Sequence, residues 1–81
     1  MNKTDTFEKV REIMADAADL DPEEILPEKN LMNDLDLTSM DIMSMISEFE
    51  RAFGIRISEK LLRGFVTVQN IVDCIVTKLE E

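Results

Sequence analysis

Ser39 is the residue best placed to do chemistry in this chain. It sits where an acidic run, Asp34-Leu35-Asp36-Leu37-Thr38, turns into a helical pattern that reaches Phe53-Gly54. As a nucleophile, a serine needs a general base within hydrogen-bond reach. The chain has no His, and no Lys or carboxylate stands at a spacing that suggests a base. As the anchor of a phosphate ester, a serine needs only exposure and a setting that tolerates the phosphate. A helix start supplies that setting through free amide hydrogens and the positive end of the dipole. A third reading is structural: Ser at a helix start commonly acts as a cap, and Thr38 could serve equally well.

Other constellations carry less. Asp34-x-Asp36-x-Thr38 looks like the opening of a calcium loop, but the sixth position is Ser39 instead of Gly and the twelfth is Met45 instead of Glu. One Cys and no His cannot make a standard zinc site, so no metal is expected. Cys74 has no basic neighbour before Lys78 and reads as a structural or half-exposed thiol. A single Cys also forms no internal disulfide, which suits a reducing compartment.

Eighteen acidic against nine basic residues give a net charge of −9. That opposes binding to nucleic acid and to anionic membranes, and it favours basic patches on protein partners. No apolar run is long enough to span a bilayer. The opening residues lead straight into an amphipathic pattern with no signal-peptide core, so a cytoplasmic location is expected.

The elements that must position Ser39 follow from periodicity. With 81 residues the chain is one domain with one modest core, burying about 60–65% of its unfolded surface. Only two Gly and two Pro, with many Met, Leu, Glu, Asp and Lys, favour an all-α fold. A first helix is predicted over 5–18, with Asp5 and Glu8 in a capping arrangement and Phe7, Val10, Ile13, Met14 and Ala17 inward. A long loop follows over 19–38. Asp21-Pro22 starts a short helical turn, and Leu20, Ile25, Leu26, Leu31 and Leu35 pin the loop to the core. The second helix runs from Ser39 to Ala52 or Phe53, with Ile42, Met45, Ile46, Phe49 and Phe53 on its core face. Met40, Met43, Ser44, Ser47 and Glu50 fall on another side. The two methionines there either fill gaps in the core or form an adaptable binding surface. Beyond Gly54, Ile55 and Ile57 alternate with Arg56 in an extended piece. Ser58 caps a short third helix over 59–63. Thr67 caps the last helix, whose inner stripe is Val68, Ile71, Ile75 and Leu79. The result is a small four-helix bundle of three main helices plus one short helix, with a long first loop.

These residues resemble the acyl carrier proteins of the free-standing bacterial type, over nearly the whole chain. The family signature Asp-Leu-Gly-x-Asp-Ser-Leu reads here Asp34-Leu35-Asp36-Leu37-Thr38-Ser39-Met40. Phe53 stands fourteen residues after the serine, as in the family, and Thr67-Val68 through Ile75 matches the family's last helix. The resemblance implies that Ser39 carries 4′-phosphopantetheine, donated by coenzyme A through a phosphopantetheinyl transferase. It implies a monomeric carrier, not an enzyme, which holds acyl groups as thioesters for acyl-transferring and chain-elongating enzymes of fatty acid biosynthesis. Met40, Asp41, Met43 and Glu50 are the expected docking surface for basic patches on those enzymes. Met45, Ile46, Phe49, Ile57, Leu62 and Phe65 are the expected lining of the acyl pocket, with Phe49 and Phe65 bulky enough to shorten or reshape it.

Three places depart from the signature: Asp36 for Gly, Thr38 for Asp and Met40 for Leu. The first predicts a differently shaped turn, and all three bear on which transferase recognises the chain. Ser44 and Arg51 replace acids on the second helix. The alternatives are a carrier for a specialised polyketide or aminoacyl pathway, and an acidic interaction adaptor without cofactor.

Overall fold

Helix α1 spans Lys3–Ala18 in the computed structural model, which describes residues 2–81. It starts two residues before the predicted point. Asn2, not Asp5, is the cap, and its Oδ1 accepts the Asp5 N–H at 2.8 Å. Asp5 lies in the first turn, where its charge faces the positive dipole end. The earlier start lets the Thr6 hydroxyl donate to Asn2 O at 2.9 Å, so this polar residue is fully buried with its hydroxyl satisfied. Val10 and Met14 are also fully buried, while Ala17 is exposed and Ala18 half-buried. The inner stripe therefore follows steps of four, 6-10-14-18, and the expected inward Ala17 falls off it.

The long loop is ordered by its own chemistry. A 3-10 turn at Pro22–Glu24 is capped by Asp21, as the sequence predicts. Asn30 organises the next stretch: its Oδ1 accepts the N–H groups of Met32 and Asn33, and its own N–H donates to Asp34 Oδ2 at 2.7 Å. Ile25, Leu31, Leu35 and Leu37 are buried, whereas Leu20 and Leu26 are half-buried. Backbone bonds then tie the loop to a distant part of the chain. Leu31 N–H donates to Val66 O, Val68 N–H to Lys29 O, and Gln69 N–H to Pro27 O, all within 2.9–3.1 Å.

Helix α2 spans Ser39–Phe53 and buries Ile42, Met45, Ile46 and Phe49, with Phe53 half-buried. Gly54 ends it in the left-handed region, φ 66°, which only glycine adopts at no steric cost. Among the described residues the Ile55–Ile57 piece pairs with no strand. Helix α3 spans Glu59–Leu62 behind its Ser58 cap. Helix α4 spans Val68–Glu80, and Thr67 and Asn70 cap it reciprocally. Val68, Ile71, Val72 and Ile75 face inward, but Leu79, in the last turn of the helix, is 38% exposed. Helix α1 packs against both α2 and α4, and the three main helices share one core. The all-α architecture is the predicted bundle of three main helices and one short one.

Candidate functional site

Thr38 takes the cap of α2, and this decides the state of Ser39. Thr38 Oγ1 accepts the Asp41 N–H at 3.1 Å, and Asp41 Oδ2 accepts the Thr38 N–H at 2.9 Å. The two bonds form a closed capping box. Hydrogen bonding from the Thr38 backbone, then from its side chain, holds the Asp41 carboxyl below the usual aspartate range. Ser39 is the first helical residue, exposed, and its hydroxyl makes no hydrogen bond among the described residues. The serine can be esterified without loss of the cap.

The turn leading into the helix keeps the backbone that glycine would favour. Asp36 sits at φ 56°, in the left-handed region, where Asp is tolerated better than most residues. The sequence predicts a reshaped turn at this position. The chain adopts a left-handed residue there, at some conformational cost.

Ser39 lies on the edge of a cavity of about 460 Å³. Ile42, Met43, Leu62, Phe65 and Val66 make most of its wall, so an apolar chain entering it would leave water. Asn33 and Arg63 add polar groups. Of the expected pocket residues, Leu62 and Phe65 line this cavity. Met45, Ile46, Phe49 and Ile57 are buried in the closed core instead. The wall residues Met32, Asn33 and Val66 went unnoticed in the sequence. They are brought to Ser39 by the bonds between the loop and the α3–α4 link, which no local pattern announces.

The expected docking residues divide in two. Met40 and Met43 are 78% and 58% exposed, which resolves their two readings in favour of a surface position. Asp41 and Glu50 are half-buried, and their carboxylates already hold backbone: Asp41 in the capping box, and Glu50 Oε2 by accepting the Ile57 N–H at 2.8 Å. Arg51 pairs with Glu48 at 3.3 Å. Cys74 is half-buried on α4, where burial pushes its thiol upward against the pull of Lys78. Among the described residues no three His, Cys, Asp or Glu side chains gather as a metal site would require, and no helix is long and apolar enough to cross a membrane.

A free serine at a helix start, beside an apolar cavity in a small bundle, has the parts needed to hold a flexible acyl-bearing arm. Residues 8–75 match the family described as the phosphopantetheine attachment site, a class of proteins that bear this group covalently. The chain is 35% identical over 79 residues to the acyl carrier protein of Thermosynechococcus vestitus, covering 98% of each chain. It is 34% identical over 76 residues to that of Rubrobacter xylanophilus, covering 94% of each. Its fold matches a solved acyl carrier protein from Enterococcus faecalis with a TM-score of 0.77 at 28% identity, covering 96% of this chain and 99% of that one. The chain belongs to the acyl carrier protein family.

Proposed function

We propose that Ser39 is the attachment point for 4′-phosphopantetheine and that the chain serves fatty acid biosynthesis as a carrier, a substrate of its partner enzymes and not a catalyst. The observation that carries the assignment is the division of labour at the start of α2. Thr38 holds the helix, and Ser39 is left exposed with an unused hydroxyl. The Ser39 and Met40 amide hydrogens have no partner among the described residues and lie at the helix start, where the positive dipole end favours a phosphate on Ser39. When bound, the group supplies a thiol that holds acyl groups as thioesters. The bundle's own residues supply the rest. The wall formed by Ile42, Met43, Leu62 and Phe65 shelters apolar cargo from water. Met40 and Met43 offer adaptable apolar contact to partners.

The acidic surface steers the carrier to basic patches on a phosphopantetheinyl transferase and on acyl-transferring and chain-elongating enzymes of the cytoplasm. Such contacts weaken with salt, which suits a carrier that must leave each enzyme quickly. Incubating the apo-protein with coenzyme A and a broad-specificity transferase, then measuring intact mass, tests the assignment. One phosphopantetheinyl group is expected on the wild type and none on Ser39→Ala. A gain that persists in Ser39→Ala would place the group elsewhere, and no gain in the wild type would favour the cofactor-free adaptor.

A further inference from the structure

Arg63 is the one charged residue among those lining the cavity beside Ser39. It is exposed, directly after α3, in a chain whose net charge is −9. Among the described residues, the cations that form ion pairs are Lys3, Arg11, Arg51 and Lys78, and Arg63 is not one of them. Glu59, four residues earlier, is placed to take an (i, i+4) pair. Only the backbone answers: the Arg63 N–H donates to Glu59 O at 3.3 Å. Arg63 instead lines the cavity that Ser39 also lines.

We propose that Arg63 pairs with the phosphodiester on Ser39, an inference that rests on the attachment proposed above. Loading adds a negative charge to a serine already flanked in sequence by Asp36 and Asp41. A guanidinium on a residue lining the same cavity offsets that crowding. Its planar fork also matches two phosphate oxygens, which a lysine ammonium does not. The pair fixes the root of the arm at the cavity edge, so that the arm's distal end starts each excursion beside the apolar wall. Arg63 is thus a positioning residue for the prosthetic group, and it acts with no partner enzyme present.

The test compares wild type, Arg63→Gln and Arg63→Lys, each as apo-protein and after loading from coenzyme A, with loading scored by intact mass. The readout is the change in melting temperature on loading, supported by the ³¹P resonance of the phosphodiester. For an exposed pair in a domain of this size, loading should raise the wild-type melting temperature by about 2–4 °C more than that of Arg63→Gln at low salt. Arg63→Lys should fall between them, and the difference should shrink at roughly 0.5 M salt. The ³¹P resonance should move between wild type and Arg63→Gln. Loaded proteins with equal increments and superimposable ³¹P resonances would overturn the pair while leaving the attachment intact. A wild type that gains no mass would overturn the attachment, and the pair with it.

Discussion

Replacing Glu50 by alanine removes the acceptor that ties the end of α2 to the chain leaving it. Glu50 Oε2 accepts the Ile57 N–H at 2.8 Å, a short charge-assisted bond, and Ile57 is buried with 8% exposure. Without the carboxylate this N–H has no partner in a partly buried place. A buried donor left unmade costs about 1–3 kcal/mol. The half-exposed carboxylate puts this bond in the lower part of that range, about 1–2 kcal/mol. At about 2.1 cal/mol/K of unfolding entropy per residue, an 81-residue domain then melts roughly 6–12 °C lower. Thermal unfolding followed by circular dichroism measures the shift. Glu50→Gln keeps a side-chain oxygen that can accept the same bond and should lose less than half as much. Amide exchange at Ile57 should accelerate in Glu50→Ala and stay near wild type in Glu50→Gln. A Glu50→Gln protein melting as low as Glu50→Ala would refute the reasoning, and so would a Glu50→Ala protein melting within about 2 °C of wild type, which would leave Glu50 a surface acid free for docking.

Further expectations concern the start of α2. Thr38→Ala should destabilise the fold by about 1 kcal/mol through loss of the cap, whereas Ser39→Ala should stay within about 0.5 kcal/mol of wild type in urea unfolding. Asp36→Gly should melt above wild type by a few degrees, since relief of a left-handed residue outweighs the added freedom of glycine in the unfolded chain by about 0.5 kcal/mol, and Asp36→Ala should melt below it. The depressed Asp41 carboxyl adds stability above its unfolded pKa, and that part is lost as pH falls through the lower folded value. Melting temperature should therefore drop more steeply below about pH 4 in wild type than in Asp41→Asn.

What could be read from the sequence was local. The spacing of Ile42, Met45, Ile46 and Phe49 and the cap at Thr67 repeat within one or two turns, so periodicity and capping rules locate α2 and α4. Ser39 stood out for the same reason. Choosing between Thr38 and Ser39 as cap depends on one residue of helix register, which side-chain preference does not settle. Ala17 and Leu79 have suitable spacing, but whether a helix face is covered depends on its neighbours. Glu50 read as a surface acid because its partner, Ile57, lies beyond the helix end. The cavity was the least legible part, since its wall joins the Asn30–Asn33 loop to the 62–66 segment through the Leu31–Val66 backbone bond, which carries no residue signature.

Two hydrogen bonds bracket α3. Glu50 holds Ile57 on one side, and Val66 O holds Leu31 N–H on the other, at 2.9 Å. Between these anchors, α3 contributes no fully buried residue. The segment 58–65 is therefore a shutter hung between two fixed posts. Local opening of this piece breaks the Leu62 and Phe65 contacts with the core, while the fully buried residues of the three long helices stay packed. On the function proposed above, swelling of the cavity for a longer acyl group strains this one short piece of chain first, at the expense of the Leu62 and Phe65 contacts with the core.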